Sequence, residues 1–126
     1  ENISLIEPLD VVDFHNYAKQ SYLILTDSGG VQEEAPSLGV PVLVLRDQTE
    51  RPEGVAAGTL RLVGTKTQAV YETIRELFED SAAYEKMSKA SNPYGDGKAS
   101  LRITEAIAHY FQLADRPEDF SLQGEQ

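Results

Sequence analysis

The segment YLILTDSGGVQEEAP, residues 22–36, decides the fold of this chain. Its first four residues are apolar and strand-like, and a helical segment that ends near Gly39 follows the two glycines. Gly39 can adopt the left-handed conformation that stops a helix, and Pro41 cannot continue one. The apolar run at residues 42–45 is typical of a strand covered on both faces. The segment therefore predicts a strand, a Ser-Gly-Gly turn, a helix and a second strand.

Strands and helices alternate along the rest of the chain, and no hairpin signal lies between them. Asp10 is expected to cap the first helix, and Thr65 with Gln68 matches a capping box at the start of a later one. Strands are expected at residues 3–6, 22–25, 42–45 and 60–63, and further helices at residues 55–57, 65–78, 82–89 and 99–113. This order predicts an α/β protein with a Rossmann-like parallel sheet of about four strands and helices on both faces.

Length and composition indicate one globular domain. The chain has 126 residues, of which 40% are hydrophobic and 25% charged. A formal charge of −10 argues against nucleic acid and anionic membranes as partners. Because there is no cysteine, disulfides, zinc-thiolate sites and a thiol nucleophile are excluded. No apolar run approaches the ~20 residues of a membrane span, and we expect a cytoplasmic protein.

The two ends of the chain suggest further boundaries. The sequence begins at Glu1, and its single methionine is Met87, so we expect the numbering to start inside a longer protein. From Ala114 onward the chain is acidic and shows no apolar period. We therefore expect a nucleotide-binding domain over residues 1–113 and a flexible tail over residues 114–126.

Ser28, Gly29 and Gly30 form the strongest candidate for a binding site. They join a strand to a helix, where unpaired backbone N–H groups and the helix dipole attract anions. Glycine also lets a phosphate approach the backbone without meeting a Cβ. The Ser28 hydroxyl could either cap the helix or donate to the phosphate.

Glu33 and Glu34 follow the glycines and would repel a diphosphate if both pointed at it. One interpretation is that they only stabilise the helix N-terminus through its dipole. The other is that Glu34, one turn after Gly30 on the same face, accepts hydrogen bonds from both ribose hydroxyls of a nucleotide.

Arg51 is the best cation for such a site, because a guanidinium holds phosphate oxygens in a fixed fork. The alternative is a surface salt bridge with Glu50 or Glu53. His15 and His109 have no metal-ligand partners at useful spacing and are expected to be packing or surface histidines. Parallel strands bring the loops at residues 8–14, 27–34 and 46–53, and the turn after residue 63, to one sheet edge. The residues by themselves indicate a nucleotide or phosphate site, with no metal or cofactor.

Several long motifs resemble the non-hydrolysing UDP-N-acetylglucosamine 2-epimerases. They are EPL at residues 7–9, TDSGGVQEEAP at 26–36, GVPVLVLR at 39–46, TERPE at 49–53 and NPYGDG at 92–97. The resemblance implies a glycosyltransferase-B type fold, of which this chain would be the carboxyl-terminal half, with UDP-sugar in the cleft between the halves. It implies UDP binding by Phe14 (through the uracil-contacting segment), Ser28, Gly29, Gly30, Glu34 and Arg51.

The same resemblance implies a reaction. Family members interconvert UDP-GlcNAc and UDP-ManNAc by eliminating UDP to give 2-acetamidoglucal and adding it back with the opposite configuration at C2. Their catalytic residues come from the amino-terminal half, so no residue of this chain, neither His15 nor His109, is assigned a catalytic role. The chain alone is expected to be inactive and to bind UDP weakly. The full-length enzyme is expected to be a homodimer that feeds ManNAc-containing polysaccharide synthesis.

Two other functions are considered. The chain could be half of a glycosyltransferase-B type transferase, although its SGG-x-QEE-x-P and T-E-R-P-E motifs resemble the epimerases more. It could also be a non-catalytic nucleotide-sugar binding module, which a natural gene encoding only this half would favour.

Overall fold

The computed structural model describes residues 2–121, and it shows a parallel sheet flanked by helices. The strands are β1 (Ile24–Thr26), β2 (Val42–Val44) and β3 (Leu60–Leu62). The helices are α1 (Val11–Gln20), α2 (Gly29–Glu34) with a 3₁₀ turn over Ala35–Leu38, α3 (Pro52–Ala57), α4 (Thr67–Glu79), α5 (Ser81–Ser88) and α6 (Ala99–Tyr110).

The three described strands lie in the order β1-β2-β3, and both neighbouring pairs are parallel. Val42 of β2 pairs with Ile24 on one side and Leu60 on the other. All of β2 is buried, as its apolar sequence predicts for a central strand covered on both faces. The predicted Rossmann-like parallel sheet is therefore confirmed.

Alternate residues of β2 contribute to two different cores. Val42 and Val44 belong to a cluster on one face of the sheet, with Ala35, Leu60 and partly buried side chains that include Val31 of α2. Leu43 belongs to a cluster on the other face, whose remaining members come chiefly from α4 and α5: Val63, Leu77, Leu23, Leu45, Val70, Ile74, Ala83 and Met87. Because successive strand residues point to opposite faces, one strand anchors helices on both sides of the sheet.

The strand predicted at residues 3–6 is wrong for this structure. That segment has no regular secondary structure, and Ile3 is 86% and Leu5 98% exposed. Strand preference is decided by pairing and burial rather than by the backbone alone, and residues 3–6 pair with no strand of the described chain. The described sheet therefore has three strands where about four were expected.

The first helix begins as predicted, because the Asp13 N–H donates to Asp10 Oδ1 at 2.9 Å. The predicted capping box is wrong. Lys66, not Thr65, occupies the N-cap of α4, and no side chain caps it. Gln68 consequently lies one position too early for a box, and its Nε2 donates instead to Glu72 Oε1 at 2.7 Å.

The last helix, α6, ends at Tyr110 instead of reaching residue 113. Gln112 follows with a φ of 59°, a left-handed conformation that a helix cannot contain. Residues 115–121 form neither helix nor strand, while residues 122–126 of the predicted flexible tail lie outside the described residues. Among residues 2–121, no helix has both the length and the apolar character that crossing a bilayer requires.

Candidate functional site

Loops from all three strands meet at the carboxyl edge of the sheet, where open parallel sheets bind ligands. Gly64, after β3, donates its N–H to the Arg46 carbonyl at 3.1 Å, which joins the second and third loops. A Cβ built on Gly29, after β1, would lie 2.6 Å from the Glu50 Oε1, so the first and second loops also touch. The sheet edge thus brings together three of the four predicted segments, the loops that follow β1, β2 and β3, whereas residues 8–14 follow no strand of the described chain.

The Ser28 turn leaves its hydroxyl available to a ligand. Ser28 occupies the N-cap position of α2, but its side chain makes no capping hydrogen bond. Its backbone N–H donates to Thr26 Oγ1 at 3.0 Å, which folds the turn back onto the end of β1. Of the two roles that the sequence left open, capping of α2 by the Ser28 side chain is not observed, and donation to a phosphate stays a prediction.

Gly30 lies at the centre of a small exposed cluster. A Cβ at this position would lie 3.9 Å from Ser28 Oγ and 3.7 Å from Glu34 Oε1, both ordinary contact distances. Ser28 and Glu34 therefore flank Gly30 on one face of α2, as the one-turn spacing predicts. The space above Gly30 is bounded by a hydroxyl on one side and a carboxylate on the other.

Glu34 has a partner that sequence reasoning missed. Its Oε2 lies 2.9 Å from His15 Nε2, a contact between α2 and α1. His15 is a partly exposed histidine, as expected, but it is not isolated. The Phe14 ring centroid lies 5.8 Å from that of His15, so the predicted uracil segment and the predicted ribose carboxylate share one end of the molecule. The two helices are far apart in sequence, and no local pattern signals the contact.

Arg51 reaches across to the glycine-turn helix. Its Nε donates to Glu33 Oε1, and its Nη1 donates to the Glu50 backbone carbonyl at 3.2 Å. The alternative partners, the carboxylates of Glu50 and Glu53, are not used: the Glu50 carboxylate instead accepts from Arg46 Nη1 at 3.0 Å. Arg51 is thus joined to α2, the helix that follows the Ser28 turn, through Glu33.

The loop that carries Arg51 places the Glu50 carboxylate next to Gly29. The pKa of Glu50 lies below its ordinary value, chiefly because its carboxylate accepts a backbone hydrogen bond, with further lowering by the charges of Arg46 and Arg51. The Glu50 carboxylate is therefore ionised at neutral pH, and a diphosphate approaching Gly29 would meet its negative charge unless the Glu50 side chain moves.

Gln32 joins the two loops from below, and sequence reasoning missed it. Its side chain is fully buried. Nε2 donates to the Ser28 carbonyl at 3.1 Å, and Oε1 accepts from Thr49 Oγ1 at 2.5 Å. Thr49 Oγ1 in turn accepts from the Arg51 N–H at 3.1 Å. In the sequence, Gln32 is distinguished only as an amide residue that directly precedes Glu33 and Glu34 in a short helix.

The sequence profile described as UDP-N-acetylglucosamine 2-epimerase matches residues 1–108. The chain belongs to this family. The resemblance drawn from the motifs is therefore confirmed.

Individual relatives agree with the family match. The chain is 60% identical over 122 residues to the UDP-N-acetylglucosamine 2-epimerase of Bacillus subtilis (strain 168), covering 96% of this chain and 32% of that protein. It superimposes on S. aureus MnaA, solved with UDP, with a TM-score of 0.85 and 64% identity over 93% of this chain and 32% of that one. The Neisseria meningitidis UDP-GlcNAc 2-epimerase, solved with UDP-GlcNAc, gives a TM-score of 0.83 and 54% identity over 86% of this chain and 30% of that one. The chain thus spans about a third of the length of these relatives.

The epimerase motif NPYGDG supports the Arg51 loop from the far side. The Tyr94 hydroxyl accepts from the Gly54 N–H at 3.1 Å, in the first turns of α3. Burial raises the pKa of Tyr94, and the Gly54 bond opposes that rise, so the hydroxyl stays protonated at neutral pH. Asp96 holds this loop to α6 through two hydrogen bonds of 2.8 Å from Arg102. These contacts assign the motif a supporting role for the segment that follows Arg51.

Proposed function

We propose that this chain is the UDP-binding part of an enzyme that interconverts UDP-GlcNAc and UDP-ManNAc by eliminating UDP and adding it back. The observation that carries the proposal is the 64% identity and TM-score of 0.85 to the S. aureus protein solved with UDP. The local geometry supports it independently, since a glycine turn, a carboxylate and a guanidinium lie together at the ligand-binding edge of the sheet.

In this proposal the diphosphate binds at Ser28, Gly29 and Gly30. The unused Ser28 hydroxyl and the exposed backbone N–H groups of the turn donate to its oxygens. Arg51 approaches from the neighbouring loop, where diphosphate oxygens compete with the Glu33 carboxylate for the guanidinium. Stabilising the charge on departing UDP is the contribution of these groups to the reaction.

The nucleoside extends from the turn toward α1. Glu34 accepts hydrogen bonds from the ribose hydroxyls, and the His15 contact holds its carboxylate on the same side as the Phe14 segment. Phe14 is assigned to the uracil end, where backbone groups of its segment contact the base. This arrangement keeps the acidic side chain on an uncharged diol and away from the diphosphate.

The groups that move the proton at C2 belong, in this proposal, to an amino-terminal half of the same enzyme. Such a half agrees with the 32% of each relative that the chain spans. We further propose a homodimeric enzyme of the cytoplasm that supplies ManNAc units for polysaccharides, with residues 1–113 as the UDP-binding domain and residues 114–126 as a tail. On its own the chain is expected to show no epimerase activity.

A calorimetric titration with UDP and 2′-deoxy-UDP tests the site in the full-length protein. Removing a hydrogen bond to a charged group costs about 1.5–3 kcal/mol, so Glu34→Ala should weaken UDP binding roughly 10- to 150-fold. The wild type should prefer UDP over 2′-deoxy-UDP, and Glu34→Ala should lose most of that preference. Glu72→Ala, on the exposed side of α4, is the control and should bind both ligands like the wild type.

Three results would each contradict a part of the proposal. If the wild-type protein does not bind UDP, the proposed nucleotide site is refuted. If the Glu34→Ala variant keeps both its affinity for UDP and its preference for UDP over 2′-deoxy-UDP, Glu34 does not bind the ribose hydroxyls. Epimerisation by the isolated 126-residue chain would show that the catalytic groups lie within it.

A further inference from the structure

Gln32 is a buried amide whose two ends bind two different loops of the proposed UDP site. It is 0% exposed, and its Nε2 donates to the Ser28 carbonyl while its Oε1 accepts from Thr49 Oγ1. A buried amide costs free energy unless it is hydrogen-bonded, and here both of its functional atoms have partners. An apolar side chain of similar size would fill the same space but would leave the Ser28 carbonyl and the Thr49 hydroxyl without these bonds.

The bond to Ser28 orients the peptide that begins the glycine turn. A trans peptide is planar, so its carbonyl and its N–H point in opposite directions. The Ser28 carbonyl belongs to the N-cap residue of α2 and also accepts from the buried Gln32 amide, so the N–H of the same peptide, which belongs to Gly29, points back from the start of the helix. The amide therefore aims a backbone donor in the direction from which an anion approaches.

The bond to Thr49 fixes the second loop. Thr49 Oγ1 donates to Gln32 and accepts from the Arg51 N–H, so one hydroxyl connects the buried amide to the backbone of the arginine. Arg51 occupies the N-cap position of α3, and no side chain of its own caps that helix. The position of the Arg51 backbone relative to the Ser28 turn thus depends on a chain of three hydrogen bonds through Gln32 and Thr49.

We propose that Gln32, acting through Thr49, is a positioning residue that sets the separation of the Ser28 turn and Arg51 so that both bind one diphosphate. This inference rests on the proposed UDP site. Gln32 itself touches no ligand; it acts on the Gly29 N–H and on Arg51. It therefore affects binding of the diphosphate and leaves binding of the nucleoside unchanged.

The test compares UDP with uridine, which lacks the phosphates. Thr49→Val keeps the shape of the side chain but removes the hydroxyl, and one lost hydrogen bond should weaken UDP binding roughly 2- to 12-fold. The affinity for uridine, followed by ligand-observed NMR in the full-length protein, should not change. Thr49→Ser restores the hydroxyl and should restore UDP affinity. Thr73→Val is the matched control, because the Thr73 side chain is at least as buried as that of Thr49 but its hydroxyl bonds within α4, to the Ala69 carbonyl.

A double-mutant cycle extends the test to Gln32. Gln32→Leu should weaken UDP binding at least as much as Thr49→Val, and the double variant should be little worse than Gln32→Leu because both break the same connection. Gln32→Leu removes buried hydrogen bonds and can lower stability, so the partly buried Thr49 provides the independent variant.

The outcomes separate this inference from the function on which it rests. If the wild type binds UDP and Thr49→Val binds it equally well, the positioning role is refuted and the UDP site stands. If UDP and uridine affinities fall together in the variants, the residues only stabilise the fold, and the positioning role is again refuted. If the wild type binds no UDP, both the proposed site and the positioning role are refuted.

Discussion

Replacing Gly30 by alanine tests whether this glycine is required for UDP binding or for the stability of the fold. Gly30 lies in the first turn of α2, and its φ is not positive, unlike that of Gly39, Gly58 or Gly64. An alanine Cβ would lie 3.7 Å from Glu34 Oε1 and 3.9 Å from Ser28 Oγ, which are ordinary contacts. Nothing in the surrounding protein therefore requires a glycine at this position.

The expected effects on stability and binding have opposite signs. A glycine-to-alanine change at a compatible position stabilises a protein by about 0.4–1 kcal/mol, chiefly through the unfolded chain. For a domain of this size, that corresponds to a rise in melting temperature of roughly 1–4 °C. The added methyl group lies where a phosphate would approach the backbone, and loss of one hydrogen bond to a charged group weakens UDP binding roughly 10- to 150-fold.

Guanidinium unfolding and UDP calorimetry measure the two effects on the same protein. Gly58→Ala is the control, because Gly58 has a φ of 84° and caps α3 in the left-handed conformation. This change should destabilise the protein by about 1 kcal/mol and leave UDP affinity unchanged. A Gly30→Ala protein that is as stable as the wild type or more so, and that binds UDP with undiminished affinity, would refute the reasoning.

Three further changes test the fold. Leu77→Ala removes a side chain that is 1% exposed in the core beneath α4, and we expect a loss of about 2–5 kcal/mol in the free energy of unfolding by urea. Gly54→Ala would place a Cβ 2.4 Å from Leu60 Cδ1, and such overpacking should cost about 1–3 kcal/mol in the same assay. Hydrogen bonds from Arg102 hold the pKa of Asp96 below its ordinary value of 3.8. The wild type should therefore have a higher free energy of unfolding than Asp96→Asn above about pH 5, and this difference should disappear as the pH falls through the folded-state pKa.

Each of these three stability predictions has a result that would contradict it. A Leu77→Ala protein with unchanged urea midpoint would show that the α4 core is not formed. A Gly54→Ala protein of normal stability would show that Leu60 and Tyr94 move aside without cost. A stability difference between wild type and Asp96→Asn that does not change between pH 6 and pH 2 would show that the Asp96–Arg102 pair does not form in solution.

Local sequence patterns predicted the structure correctly where the pattern lies within one strand or helix. The apolar run of β2 predicted a buried central strand, and Gly39 predicted a helix stop with a φ that the structure gives as 71°. They failed where a predicted strand needs a neighbouring strand to pair with. Residues 3–6 have the composition of a strand, but a ladder requires a neighbouring strand, and the described chain gives them none. The capping box at Thr65 failed by one residue, because hydrogen bonding and not side-chain type sets where α4 begins.

For the candidate site, the residue pattern alone was enough for the family, for the order of strands and helices from residue 11 onward, and for the edge of the sheet at which Ser28, Glu34 and Arg51 occur. These follow from residue type and spacing, which are properties of short segments. Only the tertiary structure decided that Arg51 pairs with Glu33, that His15 holds Glu34, and that a buried Gln32 binds Thr49 of the next loop. Each of these contacts connects segments that lie on different elements, and packing of the sheet and helices alone brings them within hydrogen-bonding distance.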